Sequence, residues 1–162
     1  MKKTNKKGFT LIELLAVIVI LALLVAVAIP AVTKYLNTSR KNVFADNAAA
    51  AVSAVRNKVI IDGNISSDGK YYIGYANAKN DVNDILEKKL KNSPYNNPYQ
   101  GYVEVKEENG EYRYYIYLTD TTHCLGTNNG STVSTLAEGE IDAGSLGTEY
   151  CTAVELPKSA EK

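Results

Sequence analysis

The chain has 162 residues, 45% of them hydrophobic, and its basic and acidic side chains balance to a formal net charge of zero. That balance excludes the basic footprint of a dedicated nucleic-acid binder, and the length leaves room for one compact domain once a targeting segment is set aside. Trp is absent and Phe occurs twice, against twelve Tyr, so aromatic packing carries hydroxyls that need water or a partner.

Lys2, Lys3, Lys6 and Lys7 precede Gly8-Phe9-Thr10-Leu11-Ile12-Glu13-Leu14-Leu15, and apolar residues then continue to Ile29, with no charge between Leu14 and Thr33. At about 1.5 Å per residue such a helix crosses a bilayer core of roughly 30 Å. The lysines hold the leader on the cytoplasmic side and send the chain beyond Thr33 outside. Glu13 is out of place there. A carboxylate in a membrane segment costs about 2.5 to 3.5 kcal/mol at the centre and less near an end, and such residues are usually paired. A cut between Gly8 and Phe9 supplies the partner, because the new α-amine of Phe9 is a cation one helical turn from Glu13, in the same chain or in a neighbour.

The basic leader ending Lys7-Gly8, the run Phe9-Thr10-Leu11-Ile12-Glu13-Leu14-Leu15 and the apolar helix reaching Pro30 closely resemble the class III signal of type IV prepilins and pseudopilins. The resemblance implies that a prepilin peptidase cuts after Gly8, that Phe9 becomes the N-methylated terminus, that Glu13 guides assembly and that Pro30 kinks the helix. It also implies partners: further copies of the chain in a filament, the peptidase, an inner-membrane assembly platform with its ATPase, and the membrane before assembly. The implied location is the bacterial cytoplasmic membrane, as a single-pass N-in, C-out precursor, and then an extracellular pilus. Two other readings of the stretch remain. Ala26-Val27-Ala28 is a small-x-small site at which a secretory signal would be cut, releasing a soluble protein from Ile29; this leaves Glu13 unexplained. The helix could also be an uncleaved anchor in which Glu13 snorkels to the interface.

After Pro30, which lacks an N–H and clashes one turn back, the pattern becomes amphipathic. Val32, Leu36, Val43, Ala48, Val52, Val55 and Val59 recur at helical spacing while Lys34, Arg40, Lys41, Asp46 and Lys58 fall mainly elsewhere. The short side chains of Ala48 to Ala51 allow a sheet to approach closely, and Asp62-Gly63 is a stop. From Phe9 to Asp62 the helix would run roughly 80 Å.

Turn residues fill the stretch after Gly63, with a short strand expected at Tyr71-Tyr72-Ile73 and a short helix over Asp81 to Leu90 capped by Asn80 or Asp81. Asp81, Asn83 and Asp84 lack the glycine and glutamate spacing of a calcium loop, so capping is the better reading. Ser93-Pro94-Tyr95-Asn96-Asn97-Pro98-Tyr99 is similar to the proline and aromatic turn before the first strand of many pseudopilins and some pilins. Asn109-Gly110 then calls for a two-residue type I′ hairpin. Its register pairs Glu107 with Tyr112, Val105 with Tyr114 and Val103 with Ile116. Val103, Val105, Tyr112, Tyr114, Ile116 and Leu118 face the long helix; Glu104, Lys106, Arg113, Tyr115 and Tyr117 form an exposed face, with Lys106 opposite Arg113 and glutamates nearby to relieve them.

Further strands are expected at Thr132 to Leu136 and Tyr150 to Leu156. Cys124 and Cys151 are the two cysteines of the chain, and in an exported head they read as one disulfide pinning the tail to the sheet; many pilins have a similar bond. His123 beside Cys124 has no companion ligands, and Glu138, Glu140 and Asp142 read as an exposed acidic turn rather than a calcium site. Asn37, Asn64 and Asn129 begin Asn-x-Ser sequons.

The expectation is therefore an α+β, pilin-like fold. It comprises a cleaved leader (1–8), a long N-terminal helix that is half transmembrane and filament core (9–30) and half amphipathic (31–62), and a head (63–162) with a small antiparallel sheet. No nucleophile motif, phosphate loop or His-based triad is present, and no cofactor or metal is expected. The chain reads as a structural pilus subunit and not an enzyme. The alternative is a minor pilin or adhesin, or a pseudopilin of a type II secretion or DNA-uptake system.

Overall fold

The computed structural model describes residues 8–75, 77–86 and 89–161. Lys2, Lys3, Lys6 and Lys7 of the leader lie outside the described residues, as do Glu87 and Lys88 of the expected short helix. The chain divides into two compact units, one ending at Thr38 and the other beginning at Ser39. Helix α1 spans Leu11–Asp62 and continues through Pro30. In the first unit its apolar side chains, among them Leu14, Ile18, Leu21, Val25 and Ile29, are all exposed. Just past the proline, the Thr33 hydroxyl donates to the Ile29 carbonyl at 2.9 Å, a bond that occupies the side chain with the helix's own backbone.

In the second unit a sheet packs on the C-terminal part of α1. Strands β1 (Lys70–Ile73), β2 (Gln100–Glu108), β3 (Glu111–Thr119) and β4 (Cys124–Leu125) lie side by side and antiparallel. β5 (Thr127–Asn128) and β6 (Val133–Ser134) form a separate ribbon. β7 (Leu136–Ala137) pairs with β3, and β8 (Leu146–Gly147) extends the sheet beyond β4.

The β2–β3 hairpin has the register read from the sequence: Glu107 opposes Tyr112, Val105 opposes Tyr114 and Val103 opposes Ile116. Asn109 and Gly110 both take positive φ, 55° and 81°, as a type I′ turn requires. The opposed cations Lys106 and Arg113 are each paired along their own strand, with Glu104 at 3.1 Å and Glu111 at 3.2 Å. At Gly101 the β3 backbone leaves no room for a side chain, since a Cβ there would lie 2.1 Å from the Tyr117 carbonyl oxygen.

Two cores form, one on each face of the sheet. On the helix side, Phe44, Ala48, Ala51, Val52, Val55 and Val59 pack against Val103, Val105, Tyr114, Ile116 and Leu118. The Phe44 ring meets Tyr99 edge-on at 5.0 Å. The buried face of α1 therefore begins at Phe44; Val32, Leu36 and Val43, expected on it, are exposed. Tyr112 is also exposed, because β1 pairs β2 only as far as Glu104 and β7 meets β3 only at Tyr115 and Ile116, leaving the hairpin tip uncovered.

The opposite face is not the exposed tyrosine surface that strand alternation suggests. Tyr72, Tyr102 and Tyr117 are buried there with Cys124, Cys151 and Ala160, because the C-terminal tail covers them.

The segment expected as a helix from Asp81 to Leu90 is, within the described residues, a single 3-10 turn of Val82–Asp84, with Asp81 capping it by accepting from the Asn83 N–H. Leu90 is instead held by its N–H donating to the Asn83 side chain at 2.7 Å. Thr132 to Leu136, expected as one strand, is split between β6 and β7. Tyr150 to Leu156 forms no strand beyond a bridge between Cys151 and Asn128. The carbonyls of Cys151, Thr152, Ala153 and Val154 are taken up by side chains, leaving no ladder to build there.

Candidate functional site at the helix start and in the cystine-bounded head

Gly8, Phe9 and Thr10 precede the helix, so the Gly8–Phe9 peptide bond lies outside α1. Phe9 is 87% exposed. Thr10 and Glu13 hold the helix start together reciprocally. Glu13 Oε2 accepts from the Thr10 N–H and hydroxyl, both at 2.8 Å, while Thr10 Oγ1 accepts from the Glu13 N–H at 3.3 Å. This is a capping box, which satisfies two of the helix's unpaired N–H donors and sets a negative charge against the positive end of the helix dipole. The reading of Glu13 as a carboxylate awaiting an amine missed it, although the spacing Thr10-x-x-Glu13 is the sequence signal for such a box. Glu13 is thus engaged by its own helix start. From Leu11 the helix is long and apolar enough to cross a membrane, and that stretch is unburied.

In the head, Cys124 and Cys151 form a disulfide with Cα atoms 5.3 Å apart. It ties β4 to the tail, and polar side chains hold the residues after Cys151. Tyr117 donates to the Thr152 carbonyl at 2.7 Å, Asn128 to the carbonyls of Thr152 and Ala153 at 3.1 and 3.2 Å, and Tyr75 to the Val154 carbonyl. The Thr119 hydroxyl donates to the Cys151 carbonyl at 2.8 Å. Further on, the Lys79 N–H donates to the Ala160 carbonyl at 2.9 Å. Burial pushes Tyr75 and Tyr102 up to about 12. Tyr99, buried against Phe44 and accepting from Asn47, is likewise raised to about 12.

His123 belongs to a polar knot rather than a catalytic pair. The wholly buried Asp120 carboxylate accepts from the Ser93 hydroxyl at 2.5 Å and from the Thr122 and His123 N–H groups at 2.9 and 2.7 Å. The imidazole stacks on Tyr95 at 3.6 Å, and Arg40 lies over the Tyr95 ring at 5.8 Å. The loop carrying Ser93 and Tyr95 is thereby tied to both α1 and the β3–β4 turn.

Glu138, Glu140 and Asp142 of the acidic turn have protein partners. Glu138 pairs with Arg56, whose guanidinium lies 5.1 Å over Tyr114. Glu140 accepts from the Ala137 N–H. Asp142 accepts from the Ser145 N–H and hydroxyl, which hold its carboxyl below the usual range. Among the described residues no group of three or more His, Cys, Asp or Glu side chains converges on a metal position.

A comparison with known protein families matches residues 3–29 to the prokaryotic N-terminal methylation motif. No curated protein and no solved structure matches the chain. The matched segment contains Gly8, Phe9 and Glu13 and ends one residue before Pro30. A class III signal of this kind implies processing by a prepilin peptidase and polymerisation, and it suits a membrane-anchored precursor. Over its N-terminal segment the chain is therefore similar to the precursors of type IV pilins and pseudopilins, which carry this motif.

Proposed function

We propose that the chain is a structural subunit of a type IV pilus. A prepilin peptidase cuts after Gly8, and the new terminus at Phe9 is methylated. The subunit waits as a single-span membrane protein, then enters a filament through its apolar half-helix. The observation that carries this reading is the methylation motif over residues 3–29, placed on a chain whose Gly8–Phe9 bond is non-helical and whose Glu13 sits in the first turn of α1. Extraction from lipid exposes the apolar run and is favourable only where neighbouring helices replace lipid. The Glu13 charge then needs a cation, which the Phe9 amine supplies after the cut, the Thr10 bonds being exchanged or shared. A minor pilin or a pseudopilin would be processed identically; abundance in sheared surface fibres separates a major subunit from these.

The test is the mass and N-terminus of the mature protein from cells that express the chain with its native export machinery. A start at methylated Phe9 supports the proposal, whereas a start at Ile29 or an intact Met1 overturns it. Glu13→Ala is expected to leave cleavage at Gly8 intact and to lower the yield of fibres; normal fibre yield would remove the pairing step from the mechanism.

A further inference from the structure

The head carries two surfaces that complement each other and do not overlap. The first is a groove of about 840 Å³ between the outer face of α1 and the loop before β2. Val43, Ala50, Ala54 and Ile61 of the helix and Ile85 and Leu86 of the loop line it. Ile61 is 80% exposed, far more than a large aliphatic side chain near a core. Lys58, Lys89 and Lys91 rim the groove. Lys58 is paired with Asp62, while the exposed Lys89 and Lys91 face solvent.

The second surface is the uncovered tip of the β2–β3 hairpin. Glu107 and Tyr112 are cross-strand partners there, on one face of the ribbon, and both are exposed. Glu108 and Glu111 flank the turn. Glu111 is paired with Arg113, and Glu108 accepts from the Tyr115 hydroxyl, so the tip keeps an excess of negative charge. Tyr112 is the aromatic of this tip, on a rigid two-stranded support, and an aromatic ringed by charge is the usual anchor of a protein contact.

We infer that the hairpin tip of one copy docks in the groove of a second copy, Tyr112 entering between Ile61 and Leu86 while the tip glutamates meet Lys89 and Lys91. This rests on the filament reading above and names the head-to-head contact it needs. The groove and the tip share no residue, so each copy offers its tip to one neighbour and its groove to another. Such a heterologous contact propagates along a helical assembly instead of closing on a dimer. Opposite charges set the register of the contact and like charges oppose it.

The test is a charge swap in the full chain, expressed with its native partners and scored by the subunit content of sheared fibres against the mature subunit left in the membrane. Glu107→Lys with Glu108→Lys, and separately Lys89→Glu with Lys91→Glu, are each expected to lower fibre content about tenfold with the membrane pool unchanged. All four substitutions together restore it. A photo-crosslinking p-benzoylphenylalanine at position 112 is expected to join subunits of wild-type charge through Ile61, Ile85 or Leu86. Normal fibres from either single reversal, no recovery in the combined variant, or crosslinks elsewhere on the head overturn the contact and leave the filament reading standing. Absence of wild-type chain from the fibre fraction overturns the filament reading and this contact with it.

Discussion

Helix α1 presents two apolar surfaces of opposite fate. Between Leu11 and Ile29 every apolar side chain is exposed, whereas between Phe44 and Val59 one face is sealed by the protein's own sheet. The second region is a folding solution: small Ala48 and Ala51 let the sheet approach, and Phe44 and the valines fill the space. The first region solves nothing within one chain and fits only where lipid or other helices stand in for a core. The same backbone conformation thus serves folding in one part and, on the filament reading proposed above, assembly in the other.

Paired substitutions sharpen that comparison most. Phe44→Ala removes a fully buried ring packed edge-on against Tyr99 and is expected to cost the head about 3–5 kcal/mol. Leu21→Ala in the exposed stretch should change it by less than about 0.5 kcal/mol. Thermal unfolding of the detergent-solubilised chain, followed by near-ultraviolet circular dichroism, measures both, and equal effects would break the distinction.

Next in size is the disulfide. With a sequence separation of 27 between Cys124 and Cys151, replacing both by serine is expected to cost about 3–4 kcal/mol through loop entropy. Proteolysis should then trim the tail before it attacks α1. Asp120→Ala comes third, at about 2–3 kcal/mol, because it strands the buried Ser93 hydroxyl and removes the acceptor of the part-buried Thr122 and His123 N–H groups. Loss of protection at the Thr122 and His123 amides in hydrogen exchange is the local reading, and unchanged protection would show that the knot is not held by this carboxylate.

The smallest effect is alkaline. Tyr75, Tyr99 and Tyr102 are raised by burial to about 12 from an ordinary value of about 10. The folded head binds these protons more tightly than the unfolded chain. This contribution to stability is therefore complete below about pH 10 and is lost as the pH climbs towards 12. Phenolate absorbance should rise together with unfolding in that window; ionisation of all tyrosines near pH 10 with the fold intact would contradict their burial.

Legibility in the sequence tracks the range of the interactions. The hairpin register is readable because Asn109-Gly110 fixes it locally and the alternation of Val103, Val105, Tyr114 and Ile116 agrees with it. The cap at Asp81 is equally local. Alternation assigns Tyr117 to solvent because it tells two faces apart but cannot say what covers the second; its cover, the tail after Cys151, lies more than thirty residues away in the chain. The tail itself reads as a strand, since its composition gives no sign that Tyr75, Tyr117 and Asn128 take its carbonyls. At the helix start, the methylation motif is legible. The Thr10–Glu13 box is equally local and escapes notice because the charge of Glu13 suggests a cation rather than its own backbone.

The way the tail is held has a bearing on how this sequence can drift. Thr152, Ala153 and Val154 are gripped by their carbonyl oxygens, which every amino acid carries, while the side chains of Ala153, Glu155 and Lys158 face outward. Mutations at these three positions meet solvent and leave the grip intact. The outer chemistry of the head can be rewritten there, codon by codon, at little risk to the architecture beneath.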